Sequence, residues 1–268
     1  MSEKAKGETA PKAYAINLAR SQDRRSHILR QLSRTGIGYE LVEAVDGREL
    51  DLADTSLFDP ALVCQDTFRP GAAGCALSHL KVYRKILDDD LDHALVLEDD
   101  AMLPDDAPEL TAAVVRDMRG AEVVLLNFHS DKPCQVVRTG AVPLPAARRL
   151  VCLADEDQAS STGGYVITRE ACARMLDAFP PLRSQPDAWA LFRRTGILDR
   201  VRCVVPMPIA NSAQFRTTID FYRPETRQAR LREAVARARI PVLYQALALR
   251  RSVTFRRSGW TGRTEFID

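Results

Sequence analysis

The stretch LVLEDDAML, residues 95–103, places three carboxylates in a row after an apolar lead-in: Glu98, Asp99 and Asp100. Like charges side by side repel, so the triplet calls for a positive charge. In an extended chain alternate side chains share a face. Glu98 and Asp100 are therefore expected to point together, with Asp99 opposite. Two oxygen ligands on one side of a strand end suit a hard divalent cation such as Mg²⁺ or Mn²⁺. Strand ends in open α/β sheets are also where ligands bind. A cation there would clamp a diphosphate and stabilise charge on a leaving group. Asp99 is the second metal candidate, because strand ends twist and the alternation can slip. Two other readings stay open: a solvated acidic turn, and paired carboxylates doing acid–base work.

These carboxylates need a sheet to hold them. AYAINL (13–18) reads as a short buried strand. The segment from Ser21 to Gly36 reads as a helix, with Ser21 as N-cap, Ile28, Leu29 and Leu32 on one face, and Gly36 as the stop. YELVEAV reads as a second strand, closed by the Asp46-Gly47 turn. This strand–helix–strand opening begins an α/β sheet. In residues 71–90, Leu77, Leu80, Tyr83, Ile86 and Leu87 recur at helical spacing, and HALVLEDD follows as a strand. AEVVLLNF (121–128) is a buried strand, GGYVITREACARMLDAF a strand feeding a helix, and RVRCVVPMPIA a late strand. Residues 51–70 and 130–160 read as irregular loops.

The chain has 268 residues and 46% hydrophobic content, enough for one sizeable core. The net charge of +2 gives no global signature of nucleic-acid binding. From Arg223 onward eleven Arg stand against Glu225, Glu233, Glu265 and Asp268. The domain reading is a tail over 1–12, a catalytic-type domain over 13–222 and a basic amphipathic extension over 223–268. The Arg-rich stretch 223–257 suits an anionic membrane surface, or packs on its own domain with a solvated face. Six cysteines without a CxxC pair point to a reducing compartment. No apolar signal core or membrane-spanning run is legible, so the expected location is cytoplasmic, with a peripheral position on the inner face of the membrane as an option.

GCALSHLKVYRKILDDDLDHALVLEDDA resembles the family-25 glycosyltransferases, which include lipooligosaccharide galactosyltransferases and collagen galactosyltransferase domains. YAINLARSQDRRSHI, STGGYVITREA and QPDAWALF are similar to further family segments, in the same order. The resemblance covers about residues 13–215 and leaves out the tail; Pro186 stands where many relatives have Val. It implies a GT-A-like, Rossmann-like domain that binds a nucleotide-sugar, with a divalent metal. The implied reaction is inverting transfer of a hexose, most often galactose from UDP-galactose, to a glycan or glycolipid hydroxyl in surface-glycan assembly. A nucleotidyltransferase and a non-catalytic nucleotide-sugar binder are the rival classes.

The resemblance gives roles to particular residues. Glu98 and Asp100 hold the metal and diphosphate. Asn17, Arg20 and Arg24 lie where the first strand meets a helix N-terminus, which favours the donor phosphates; exposed arginines are the plain alternative. Ala44 and Asp46 meet the uridine, or form an ordinary Asp-Gly turn. Ser78 and His79 are donor-site candidates, although a helical histidine is more often structural. Asp99 faces the sugar or a neighbouring Arg. Gly164 and Tyr165 form a wall against the sugar, or a tight strand entry with a core tyrosine. Asp187 is the expected base for the acceptor hydroxyl, with helix capping as its alternative and Asp155, Glu156 and Asp157 as competitors.

Overall fold

The structure is a computed structural model and describes residues 10–65, 68–129, 134–154, 157, 159–215 and 264–267. The expected opening is present. Strand β1 (Ala13–Asn17) is buried along its whole length. Helix α1 (Gln22–Thr35) follows, and it ends at Gly36, whose φ of 70° lets its N–H reach Leu32 O at 3.1 Å. Left-handed backbone of this kind is what glycine supplies at a helix end. Strand β2 (Tyr39–Glu43) then pairs in parallel with β1.

Asp46 caps the short 3₁₀ turn Gly47–Glu49 by accepting the Arg48 N–H. The short α2 (Pro60–Val63) follows this turn. Helix α3 (Pro70–Asp88) buries Ala72, Ala73, Ala76, Val82, Tyr83 and Ile86 along one side. Its N-terminal turns press on the 3₁₀ turn. A Cβ on Gly74 would stand 2.6 Å from Val45 O and 2.7 Å from Gly47 N. Small residues are therefore what allow α3 to seat beneath the strand end.

Strand β3 (His93–Glu98) continues the sheet beside β1, again in parallel. Strand β4 (Ala101–Met102), helix α4 (Ala107–Asp117) and strand β5 (Glu122–Leu125) come next. Strands β6 (Cys134–Pro143) and β7 (Arg149–Leu153) form an antiparallel pair. Strand β8 (Gly164–Thr168) leads into α5 (Arg169–Ala178), and α6 (Trp189–Arg194), β9 (Arg200–Val205) and β10 (Ala210–Asn211) follow. The backbone of β11 (Thr264–Ile267) adds to the far edge against β6.

One sheet runs β11-β6-β7-β9-β5-β8-β3-β1-β2. The β2-β1-β3 end and the β5-β9 pair are parallel, and β8 runs antiparallel between β3 and β5. Apolar clusters cover both faces. One is built on Tyr14, Val96, Tyr165 and Trp189, the other on Ile28, Leu32, Leu95 and Leu110. The expected α/β architecture is what the chain adopts. The loop reading of 130–160 is corrected: β6 and β7 lie there. The segment expected as a C-terminal extension returns a strand to the same sheet at Thr264–Ile267, and the stretch 223–257 lies outside the described residues. Among the described residues no helix is long and apolar enough to cross a membrane.

Candidate functional site

Strand β3 stops at Glu98, and Asp99 and Asp100 form a turn before β4. The two-residue alternation stops with it, so the acidic triplet divides differently from the expected pattern. Arg24, in the first turns of α1, reaches both aspartates: Nε lies 2.6 Å from Asp99 Oδ1 and Nη2 lies 2.8 Å from Asp100 Oδ2. Asn17 Nδ2 donates to Asp99 Oδ2 at 2.7 Å, and Asn211 Nδ2 to Asp100 Oδ1 at 3.2 Å. Asn211 is in place because β10 pairs with β4. The Phe215 ring covers the guanidinium at 5.5 Å. Burial pushes the Asp99 carboxyl above its ordinary range, and the Arg24 charge opposes that shift. The positive charge that the triplet calls for is Arg24, and all four oxygens of Asp99 and Asp100 are hydrogen-bonded.

Glu98 turns to the other side. Its Oε1 accepts from Thr162 Oγ1 at 2.5 Å and lies 4.0 Å from His79 Nε2. Burial pushes the Glu98 carboxyl up to about 7, with Thr162 pulling it down and the charges of Asp100 and Asp99 adding to the rise. Its side chain is still 25% exposed, so it reaches the surface. His79 is buried, and burial lowers its pKa to about 3, so the ring is neutral at physiological pH. His79 Nδ1 meets Tyr165 Oη at 2.7 Å, and Tyr165 Oη meets Tyr83 Oη at 2.9 Å.

Asp187 precedes α6 and is half-buried. It does not cap that helix with its side chain; its Oδ2 accepts the Ser161 N–H at 3.1 Å. Ser161 has a φ of 120°, a conformation that non-glycine residues adopt at a cost and that neighbours must hold. Trp189 Nε1 donates to Ser161 O at 3.0 Å, and Ser161 Oγ donates to Asn127 Oδ1 at 2.7 Å. Asn127 Nδ2 in turn donates to Asn211 Oδ1 at 2.8 Å. A continuous hydrogen-bonded run thus links Asp100, Asn211, Asn127, Ser161 and Asp187. Burial raises the Asp187 carboxyl above its ordinary range, with the Ser161 N–H lowering it.

The structure brings Asn17, Arg24, Glu98, Asp99, Asp100 and Asp187 to one end of the sheet. Other expected positions have local partners instead. Arg24 is spent on carboxylates and not presented to a phosphate, since a guanidinium fork fits either oxyanion. Arg20 and Arg48 both pair with Asp46 at the β2 end. Ala44 N–H bonds Asn17 O at 2.9 Å, tying the β2 end to the β1 end. Ser78 Oγ accepts Val45 N–H at 2.8 Å and donates to Gly74 O at 2.6 Å, which buries it between helix and strand. Tyr165 is not an open wall: it is fully buried, with its ring 5.3 Å from Trp189. Gly163 and Gly164 serve packing. A Cβ on Gly163 would stand 2.7 Å from Asn127 Oδ1, and one on Gly164 would stand 3.0 Å from Ile209.

Sequence reasoning missed Thr162, Asn127, Asn211 and Cys75. Cys75 and His79 are four residues apart on α3, a spacing that stacks two side chains on one helix face and was readable in advance. Asn127 and Asn211 meet across 84 residues of chain, which no local pattern reports.

A family model described as "Glycosyltransferase family 25 (LPS biosynthesis protein)" matches residues 10–189. Mouse "Procollagen galactosyltransferase 2" is 30% identical over 175 residues, which cover 62% of this chain and 27% of that protein. "Lacto-N-neotetraose biosynthesis glycosyltransferase LgtE" of Neisseria meningitidis serogroup B is 29% identical over 178 residues, covering 64% and 62%. "Lipooligosaccharide biosynthesis protein lic2B" of Haemophilus influenzae is 24% identical over 165 residues, covering 60% and 61%. The match thus spans about a quarter of the procollagen relative and about three fifths of the bacterial ones. Among solved structures, a glycosyltransferase involved in the glycosylation of the major capsid of PBCV-1 superposes with a TM-score of 0.39 at 10% identity, covering 72% of this chain and 81% of that one.

Proposed function

This chain belongs to glycosyltransferase family 25, and from that premise we propose that it moves a hexose, galactose from UDP-galactose, onto a hydroxyl of a glycan or glycolipid acceptor, with inversion at the anomeric carbon. The observation that carries the proposal is the hydrogen-bonded run from Asp100 to Asp187. It holds a candidate base at a fixed distance from the acidic turn where a donor diphosphate would lie.

In this reading Asp187 accepts the proton of the acceptor hydroxyl as that oxygen bonds the anomeric carbon. The bond from that carbon to the diphosphate oxygen breaks, and its electron pair leaves with UDP. A raised carboxyl pKa suits a base, because proton affinity and ionisation must be balanced near working pH. The Ser161 N–H fixes one Asp187 oxygen and leaves the other for the hydroxyl. Arg24 keeps Asp99 and Asp100 together at the turn by offsetting their mutual repulsion. Arg20 and Arg48, partly exposed beside Asp46, would meet the donor's phosphates or ribose in this reading.

Mn²⁺ or Mg²⁺ belongs to the proposal as a cofactor that arrives with the donor. A carboxylate oxygen has two lone pairs, so Asp100 retains capacity beside its bonds to Arg24 and Asn211. Glu98 does not fit the same ion, since it faces His79 and Thr162. Such an ion supplies neutralisation of the leaving diphosphate. A cytoplasmic site of action, with the basic stretch 223–257 against an anionic membrane surface, completes the reading.

The test is UDP release from UDP-galactose with a panel of glycan acceptors, with NMR of the product's anomeric configuration. Release that depends on acceptor and gives the inverted anomer supports the proposal; retention of configuration removes Asp187 from the role of base.

A further inference from the structure

Helix α3 and strand β3 bring a second set of ligating atoms together beside the Arg24-bound aspartates. Cys75 Sγ, a ring nitrogen of His79 and a carboxylate oxygen of Glu98 all lie within 4.8 Å of one another. No other trio of His, Cys, Asp or Glu among the described residues meets so closely. His79 is only 2% exposed, and its Nε2 is buried without a hydrogen-bond partner. A buried polar atom without a partner is costly, and few native groups are left so. This one faces Glu98 Oε1 at 4.0 Å, too far for a hydrogen bond and close enough to share an ion.

We propose that Cys75, His79 and Glu98 form a three-ligand site for a borderline-soft divalent cation of the zinc class, distinct from the hard, all-oxygen turn at Asp99 and Asp100. The donor set is one thiolate, one imidazole and one carboxylate, the mixture that zinc accepts. Zinc bond lengths imply donor–donor separations of roughly 3.5 Å, so closure of the trio takes movements of about 1 Å. Cys75 and His79 share one face of α3, and Glu98 ends the strand beneath it. Tyr165 Oη holds His79 Nδ1 at 2.7 Å, the outer-sphere bond that turns a ligating imidazole. With a hydrogen on Nδ1, the Nε2 lone pair points at the site.

Binding breaks the Cys75 S–H bond. The electron pair goes to the metal and the proton goes to solvent. Without an ion, burial beside the charges of Glu98 and Asp187 holds that thiol protonated. Three protein ligands leave one position for water or a substrate oxygen. Glu98 is the partly exposed one of these ligands, so that position opens toward solvent on its side. The site uses no residue to which the transfer reading gives a role and does not depend on that reading: an ion can bind whether or not galactose is the sugar moved.

The test uses the full chain, stripped with a chelator under reducing conditions and titrated with Co²⁺. The expected result is one equivalent bound with a thiolate-to-cobalt charge-transfer band and tetrahedral visible bands, both removed by Zn²⁺. Cys75→Ser should abolish the charge-transfer band and weaken binding at least ~10-fold. Zn²⁺ should raise the melting temperature of the wild type and not of Cys75→Ser, since an ion that binds only the folded state stabilises it. The metal-free melting temperatures of the two proteins serve as the folding control. A wild type without the charge-transfer band, or a Cys75→Ser variant that keeps it through another of the six cysteines, overturns the proposal. None of these readouts measures sugar transfer, so failure of the transfer reading leaves this test intact.

Discussion

Arg24 Nη2 lies 2.8 Å from Asp100 Oδ2 in the interior, and the same guanidinium holds Asp99 through Nε at 2.6 Å. One cation therefore pairs with two buried carboxylates, and removal of it leaves both with only neutral amide donors. Replacing Arg24 with Met is expected to cost about 3–5 kcal/mol at pH 7, the usual cost of breaking a buried pair. The loss should shrink on acidification. Burial already raises the Asp99 carboxyl against the opposing Arg24 charge, and loss of that charge raises it further. Stability is then full below an unfolded value of about 4 and falls as pH rises. Urea denaturation at pH 4 and pH 7 checks this, and equal losses at both would show that the guanidinium matters only for packing.

Glu98 supplies a second pH dependence. Its carboxyl is pushed up to about 7 in the folded chain, against an unfolded value of about 4.3. The sign is that of a raised group: its contribution to stability is complete below about 4.3 and is lost as pH rises through about 7. Glu98→Gln cannot ionise. In chelator, the wild type should lose melting temperature relative to Glu98→Gln between pH 5 and pH 8. Parallel curves would mean that Glu98 is an ordinary solvated carboxylate.

Asn127 bonds Ser161 through Oδ1 and Asn211 through Nδ2. Asn127→Ala breaks the run that sets the Asp187 backbone partner at Ser161. The cost in stability is about 1–3 kcal/mol from unpaired buried groups. The expected kinetic pattern is a drop in kcat with the KM for donor little changed, because the base end of the run is disturbed. A rise in donor KM alone would place Asn127 in donor binding instead.

The parts that repeat at a regular spacing were legible. Ile28 and Leu32 marked α1, Leu80 and Tyr83 marked α3, and the apolar run at 94–97 marked β3. The carboxylate triplet was legible as a site but not in its detail, because period two holds only while the chain is extended and the strand ends at Glu98. Arg24 was read as a phosphate ligand because its fork matches any oxyanion, and only the fold brings Asp99 within reach. Tyr165 was ambiguous for a similar reason: an amphipathic ring suits a cleft or a core, and two partners for its hydroxyl supplied by α3, His79 Nδ1 and Tyr83 Oη, settle it in the core. The segment holding β6 and β7 looked like a loop because Thr139, Gly140 and Pro143 interrupt its apolar run.

Gly74 tests how α3 is seated. A methyl there would meet Val45 O and Gly47 N at 2.6 and 2.7 Å, and both are backbone atoms that cannot swing aside. Gly74→Ala is expected to cost about 1–3 kcal/mol by overpacking. The displaced helix would carry Cys75, Ser78 and His79 with it, so Co²⁺ binding should weaken in the same variant. A melting temperature equal to wild type would show that the strand end yields.

The most direct measurement is the turnover of Asp187→Asn with UDP-galactose and a working acceptor. The amide keeps the shape and the acceptor oxygen for the Ser161 N–H but cannot take a proton. The account predicts a fall in kcat of about 10²–10⁴-fold, the usual worth of a general base, with UDP affinity unchanged by calorimetry. A variant that transfers galactose at the wild-type rate would contradict it.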